Sequence, residues 1–253
     1  MLDLDGTLYS GDAAIPGAPE TLSRLRRKEI PFRVVTNTTS RSRAALVQRL
    51  CEYGFIVTPD EIFTAALAGA DVVRDAGYSC LAPFVSEAAL DDLGDLDLCG
   101  GTSGQTVTRN PQAVLVGDLG DRWTYTLLQE AFEYLMSGAS LIALSRDRYW
   151  LRGGRLALDA GPFVAGLEFA SGKRAVIAGK PSPTFFAAAL RSLGVNMPGT
   201  TAMVGDDIWS DVQGAQRAGL QGWLVRTGKY QPANLSETGI KPDRILDSVA
   251  ALG

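Results

Sequence analysis

Two aspartates near the start of the chain, Asp3 and Asp5, have a spacing that suits joint chemistry. They lie two residues apart in the run MLDLDGTLY, so on a β-strand both side chains face the same side. Gly6 follows at once and allows a sharp turn. Carboxylates roughly 5 Å apart repel each other by about 3 kcal/mol at an effective dielectric constant of about 20, which favours a bound divalent cation with oxygen ligands. Taken alone, the motif also fits an acidic turn after a short strand.

Polar residues also follow three other predicted strands. They are Thr36 and Asn37 after PFRVV, Lys180 after Arg174–Ala178, and Asp206 and Asp207 after Thr201–Val204, with Asp211 one turn later. Each group has an ordinary alternative, namely a helix-capping loop, a solvated lysine, or acids that complement a helix dipole. In parallel α/β sheets, however, ligands bind outside the carboxyl ends of the strands. We therefore expect the four groups to meet in one functional site.

The composition excludes several kinds of chemistry and of partner. The 253 residues include no histidine, which excludes a Ser-His-Asp triad, a Cys-His pair and histidine metal ligands. The net charge of −4 provides no basic surface for nucleic acid or for a membrane. No apolar run of about 18 residues and no leader pattern is present, so a cytoplasmic location is expected by default.

Two local features yield further expectations. Cys51, Cys80 and Cys99 are widely spaced and odd in number, and are predicted to be reduced and mostly buried. Only Met1 and Leu2 precede Asp3, whereas a buried parallel strand normally has about five or six residues. This shortage predicts that the natural start lies upstream or that the chain is truncated.

Strands and helices alternate at short spacing through most of the chain, which predicts a parallel α/β fold. The chain is predicted to leave the first sheet near Gly77 and to return near Lys173. Residues 1–77 and 173–253 would then form a discontinuous core domain, and residues 78–172 an inserted α/β domain. The strand over Arg174–Ala178 is assigned to the first sheet.

The motifs DLDGTLY, VVTN, Lys180 and GDDIWSD resemble, in this order, the four motifs of the haloacid dehalogenase (HAD) superfamily of phosphatases. The resemblance covers essentially the whole chain, and the insertion resembles the C2-type (IIA) cap. It implies a Rossmann-like parallel-sheet core with an inserted cap. Stretches such as GKPSPTFF and VRTGKY are most similar to the phospholysine phosphohistidine inorganic pyrophosphate phosphatase branch.

The resemblance implies a role for each motif residue in an Mg²⁺-dependent phosphoric monoester hydrolase. Asp3 would be the nucleophile that forms an aspartyl-phosphate, and Asp5 the general acid and base. Mg²⁺ would be held by Asp3, by the main-chain carbonyl of Asp5 and by Asp206, with Asp207 or Asp211 in or beside its coordination shell. Thr36, Asn37 and Lys180 would bind the phosphoryl group, and Lys180 would also neutralise Asp3. In the cap, Arg146 and Asp147 are the candidates for contact with the rest of a small phosphorylated substrate, which could also include a P–N bond or pyrophosphate.

Other functions remain open at this stage. A 2-haloacid dehalogenase would share the nucleophile, but it needs neither Asp5 nor a metal. A non-catalytic module that binds a phospho-ligand is compatible with the short first strand. A receiver-type phospho-acceptor lacks a cap-sized insertion, and a nucleotidase of the P-loop class is excluded because the G-x-x-x-x-G-K-[ST] motif is missing. An α/β cap with an exposed sheet edge is also compatible with a homodimer.

Overall fold

The strand that carries Asp3 is short and central to a sheet. The computed structural model describes residues 1–152 and 154–252. Its strands are, in chain order, β1 (Leu2–Asp3), β2 (Tyr9–Ser10), β3 (Ala13–Ala14), β4 (Val34–Thr36), β5 (Ile62–Thr64), β6 (Leu81–Phe84), β7 (Ala113–Val116), β8 (Ser140–Ala143), β9 (Tyr149–Arg152), β10 (Arg155–Leu158), β11 (Val176–Ile177), β12 (Ala202–Gly205), β13 (Gln221–Val225) and β14 (Arg244–Leu246). Its α-helices are α1 (Ala18–Arg27), α2 (Arg43–Glu52), α3 (Ala65–Asp75), α4 (Glu87–Leu90), α5 (Tyr125–Met136), α6 (Ala160–Ser171), α7 (Pro183–Leu193), α8 (Gly214–Arg217) and α9 (Pro232–Thr238).

The described residues divide into two units. The first unit contains Met1–Thr36, Arg43–Phe63 and the chain from Lys180 onward. The second contains Asn37–Ser42 and Thr64–Gly179. The long segment of the second unit therefore begins at Thr64, earlier in the chain than the insertion that the sequence predicts, and extends to Gly179.

In the first unit, β1 is held from both sides. The six-stranded sheet has the order β14-β13-β12-β1-β4-β5. Leu2 pairs in parallel with Val34 of β4 and with Val204 of β12. Leu2, Leu4 and Leu8 are buried in the hydrophobic core beneath this sheet. A strand of two residues thus acquires a fixed position from its neighbours, and this positions the residues that follow it.

The second unit has a parallel sheet of its own, in the order β11-β8-β7-β6. β7 has the sequence AVLV and is buried throughout, as expected for an inner parallel strand. The assignment of residues 174–178 to the first sheet is wrong, because Val176 and Ile177 pair in parallel with Ile142 and Ala143 of β8. A short apolar strand has the same sequence pattern whichever sheet it joins, so the pattern could not predict the sheet.

The thiol prediction is also wrong for two of the three cysteines. Cys80 and Cys99 form a disulfide, and Cys51 is exposed. The main-chain amide of Cys99 donates to the carbonyl oxygen of Leu81 at 2.9 Å, so the segment that carries Cys99 runs along the edge strand β6. The hydrogen bond between Cys99 and Leu81 brings the sulfur atoms of Cys80 and Cys99 together.

Over residues 1–152 and 154–252, none of the helices is both long and apolar enough to span a bilayer.

Candidate active site

Asp3 lies at the carboxyl end of β1 and is buried. The ammonium group of Lys180 donates a hydrogen bond to its Oδ1 atom. Lys180 is itself only 5% exposed and follows a loop rather than a strand of the first sheet, since β11 belongs to the second unit. The structure therefore brings together Asp3 and Lys180, which are 177 residues apart in sequence.

Asp5 lies in the turn that follows β1, and it is exposed. The main-chain amide of Gly6 donates to the carbonyl oxygen of Tyr9 at 2.7 Å, and Gly6 has a φ of 81°. That left-handed conformation favours glycine, which agrees with the expected sharp turn. The Asp5 side chain is therefore exposed in the turn, whereas the Asp3 side chain is buried at the end of β1.

Asp206, Asp207 and Asp211 follow β12, where the chain enters a π-helical segment, Ile208–Gln213. Asp207 caps this segment, because its Oδ1 accepts hydrogen bonds from the amides of Trp209 at 2.9 Å and Ser210 at 3.0 Å. The capped turn directs Asp211 inward, where it is only 1% exposed and forms an ion pair with Lys180 at 2.8 Å.

Three of these carboxylates form a group that suits a divalent cation. Asp3, Asp206 and Asp211 are all buried, and each offers an oxygen atom that lies within 4.8 Å of the other two. At 4.8 Å two carboxylates repel each other by about 3.5 kcal/mol at an effective dielectric constant of about 20. One ammonium group cannot balance three such charges. Hard cations such as Mg²⁺ prefer carboxylate oxygens, so the residues present fit the predicted metal.

The carboxyl groups also hold protons more tightly than usual. Burial raises the pKa of Asp3 well above its ordinary value, and Asp211 and Asp206 add to this, although Lys180 opposes it. Burial and the charge of Asp211 likewise raise the pKa of Asp206 to about 6. Lys180 behaves oppositely: burial alone would lower its pKa, but Asp211 and Asp3 raise it overall. The metal-free cluster therefore favours states in which extra positive charge, as protons or a cation, is present.

The other predicted residues lie in different places. Thr36 ends β4 in the first unit and is buried. Asn37, Arg146 and Asp147 belong to the second unit. There, Arg146 forms an ion pair with Glu168 at 2.5 Å, and the Oδ2 atom of Asp147 accepts a hydrogen bond from Ser145 at 3.0 Å.

The structure adds one residue that the sequence reasoning did not single out. The main-chain amide of Lys229 donates to Oδ2 of Asp206 at 2.6 Å, and its ammonium group lies 3.3 Å from Oδ2 of Asp207. Lys229 belongs to the stretch VRTGKY, whose resemblance to a phosphatase branch was the available signal, but the sequence offered no spacing that linked it to the aspartates.

Comparisons with known proteins identify the family of this chain. A family model described as haloacid dehalogenase-like hydrolase matches residues 1–99, and a HAD-hydrolase-like model matches residues 177–252. Haloacid dehalogenase-like hydrolase domain-containing protein 2 from Bos taurus is 42% identical over 92% of this chain and 86% of its own length. The chain belongs to the haloacid dehalogenase-like hydrolase family. The predicted HAD fold and family are therefore confirmed.

Other members of this family are named as phosphatases. Phospholysine phosphohistidine inorganic pyrophosphate phosphatase from Homo sapiens is 35% identical over 99% of this chain and 90% of its own. A solved structure of p-nitrophenyl phosphatase from Archaeoglobus fulgidus has a TM-score of 0.87 and 26% identity, covering 99% of this chain and 95% of that one. NagD from E. coli has a TM-score of 0.87 and 29% identity, covering 100% and 96%. The prediction that the chain is a hydrolase of the phosphatase class is therefore confirmed.

Proposed function

We propose that this protein is an Mg²⁺-dependent phosphatase that hydrolyses a small phosphorylated substrate through an aspartyl-phosphate on Asp3. The observation that carries the proposal is the buried group of Asp3, Asp206 and Asp211 around the ammonium of Lys180. Such a group combines a nucleophile, a cation site and a fixed positive charge within a few ångströms. A dehalogenase of this family would need no such acidic cluster.

In the first step, an oxygen of Asp3 attacks phosphorus, the new O–P bond forms and the bond to the leaving group breaks. Asp5, which is exposed in the adjoining turn, donates the proton that the leaving alkoxide needs. In the second step, water attacks the same phosphorus, Asp5 accepts the proton, and Asp3 is released with inorganic phosphate. Lys180 stays protonated throughout and offsets the charge of Asp3 and the phosphoryl oxygens.

The cation would be held by Asp3, Asp206 and the main-chain carbonyl of Asp5, with Asp211 and Asp207 beside it. Bound Mg²⁺ would supply positive charge that offsets the repulsion between these carboxylates and an incoming phosphate dianion. Asp211 also holds Lys180 in place. In this proposal, Thr36 and the main-chain amide of Asn37 bind phosphoryl oxygens.

Residues 78–172 would act as the cap that selects the substrate, on a core of residues 1–77 and 173–253. Arg146 and Asp147 follow β8 and are the proposed contacts with the part of the substrate beyond the phosphoryl group. The name of the human relative suggests phospholysine, phosphohistidine and pyrophosphate as test substrates. A cytoplasmic location and a homodimer formed through the cap remain predictions.

The test is release of inorganic phosphate from p-nitrophenyl phosphate, with Mg²⁺ and with EDTA. We expect turnover that requires Mg²⁺, is abolished in Asp3→Asn and is retained in Asp12→Asn, a matched control whose side chain is 99% exposed. Acid quenching during turnover should trap wild-type protein carrying one extra phosphoryl group. Metal-dependent phosphate binding by a folded protein without turnover would instead support the non-catalytic binding module.

A further inference from the structure

The loop after β13 contacts the turn that follows Asp5 and one carboxylate of the proposed cation site. The hydroxyl of Thr227 donates to the main-chain carbonyl oxygen of Gly6 at 2.5 Å, in the turn that follows Asp5. Two residues later, the amide of Lys229 donates to Oδ2 of Asp206 at 2.6 Å. The loop therefore connects the turn after β1 with the turn after β12, and it fixes the orientation of one carboxylate in the acidic group.

Gly228, between these two contacts, allows the loop to approach closely. It has a φ of 58°, and a Cβ atom at this position would overlap Oδ2 of Asp206 and lie 2.6 Å from Cα of Gly6. Gly6 is constrained in the same way, since its Cβ atom would also overlap Oδ2 of Asp206. The two glycines therefore allow main-chain segments from the turn after β1 and from the loop after β13 to approach the Asp206 carboxylate closely.

The side chain of Lys229 extends this arrangement to the other acids. Its ammonium group lies 3.3 Å from Oδ2 of Asp207, whose Oδ1 caps the π-helical segment. The amide of Asp207 donates in turn to Oδ2 of Asp211 at 3.2 Å. Lys229 is thus joined to Asp206 through its main chain, and to Asp211 through Asp207.

The exposure of Lys229 shows that this placement contributes little to folding. The side chain is 72% exposed. An exposed ion pair adds little to stability, because water screens it and holding a long side chain costs entropy. Its ammonium group is nevertheless held beside an acidic cluster whose carboxylates must keep a defined geometry to bind a small cation.

We propose that Lys229 is a positioning residue for the divalent-cation site, which it supports by anchoring Asp206 and Asp207 in the orientation that binds the cation. This inference rests on the proposed Mg²⁺ site and assigns no contact between Lys229 and substrate. Groups that orient metal ligands typically change metal affinity by about 10–100-fold when they are removed. Replacing Lys229 should therefore alter cation affinity far more than folding.

The sign of the change distinguishes positioning from simple charge. A lysine near a cation site repels the cation, so loss of its charge alone would strengthen cation binding. Loss of positioning would weaken it. The two explanations make opposite predictions for Lys229→Met, which keeps the main-chain amide and much of the apolar side chain but removes the ammonium group.

The experiment measures Mn²⁺ binding by electron paramagnetic resonance of the free ion, on the full chain without substrate. We expect Lys229→Met to weaken Mn²⁺ binding about tenfold, Lys229→Arg to stay within about threefold of wild type, and the exposed control Lys241→Met to match wild type. In turnover assays, Lys229→Met should need about tenfold more Mg²⁺ for half-maximal rate, but reach a similar kcat at saturating Mg²⁺.

A double variant tests the route through Asp207. If both residues act through their contact, Lys229→Met with Asp207→Asn should weaken Mn²⁺ binding no more than the stronger of the two single variants. Equal or tighter binding by Lys229→Met, or no recovery by Lys229→Arg, would overturn the inference, as would a wild-type protein that binds no Mn²⁺. Normal Mn²⁺ binding by wild type without turnover would refute the proposed catalysis and leave the positioning role intact.

Discussion

Replacing Lys180 by methionine would show how much one ammonium group contributes to the free energy of unfolding when no metal is bound. Lys180 is 5% exposed and is paired with Asp3 and Asp211. Methionine has similar length and fits a buried position, so the change mainly removes charge. Three buried carboxylates would then remain within 4.8 Å of one another without the ammonium group that pairs with two of them.

The size of the effect follows from the geometry. At 2.8 Å, the attraction between Lys180 and Asp211 is about 6 kcal/mol at an effective dielectric constant of about 20. Breaking a buried pair costs less than this in practice, about 3–5 kcal/mol, because the remaining charges reorganise or gain a proton. We expect a loss of about 4 kcal/mol in the free energy of unfolding at pH 8 in EDTA, a large part of the roughly 5–15 kcal/mol typical of a domain.

The loss should depend on pH. Lys180 lowers the pKa of Asp3 and of Asp206, so without it these two carboxyl groups take up protons more readily. Carboxyl groups whose folded-state pKa is raised stabilise the protein at low pH, and this stability is lost as pH rises through that pKa. The variant should therefore approach wild type near pH 5 and fall furthest below it at pH 8.

The assay is urea denaturation in EDTA at pH 5 and pH 8, followed by a repeat at pH 8 with Mg²⁺. Mg²⁺ at about 100 times its Kd should restore about 2.7 kcal/mol. Lys241→Met, at an exposed lysine of the same unit, should change stability by less than about 0.5 kcal/mol. A loss below about 1 kcal/mol at pH 8, or one that does not depend on pH, would refute the charge argument.

Three further predictions concern the acidic groups and their neighbours. Because the pKa of Asp206 is raised to about 6 and that of Asp3 is also raised, apparent Mg²⁺ affinity should fall by at least about tenfold per pH unit below pH 6, measured by titration calorimetry. Burial raises the pKa of Asp159 to about 6, so its contribution to stability is lost as pH rises from 4 to 6. Asp159→Asn can still cap α6. In urea denaturation, this variant should have a free energy of unfolding about 1 kcal/mol above wild type at pH 7.5 and equal to wild type at pH 4. A Cβ atom on Gly205 would overlap the Asp211 carboxylate, so Gly205→Ala should lose about 1–3 kcal/mol and bind Mn²⁺ more weakly, whereas Gly199→Ala, with open space around it, should do neither.

Most of the candidate site in the first unit could be predicted from the sequence, because that part of it follows directly from strand ends. Asp3 ends β1 and Asp206 directly follows β12, and neighbouring parallel strands end at one edge of the sheet. The positions therefore follow from local patterns plus one topological rule. Asp211 followed as well, because one helical turn brings it back toward Asp206.

Other features could not be predicted because they depend on pairings between distant segments. Lys180 approaches Asp3 from a loop, while the strand before it joins β8 of the other sheet. The disulfide between Cys80 and Cys99 depends on a segment that runs beside β6. Nothing in a single sequence marks which edge such a segment takes, since short apolar strands are alike.

The acidic cluster also explains why the least obvious residues of the site are glycines. Burying three carboxylates together is unfavourable, because each one loses its hydrogen bonds to water. Hydrogen bonds from the protein must replace them. Main-chain amides can reach Asp206 and Asp211 only where no Cβ atom intervenes, and Gly6, Gly205 and Gly228 lie at those approaches. In this site, three positions without side chains therefore determine how closely the main chain approaches two of the acidic groups.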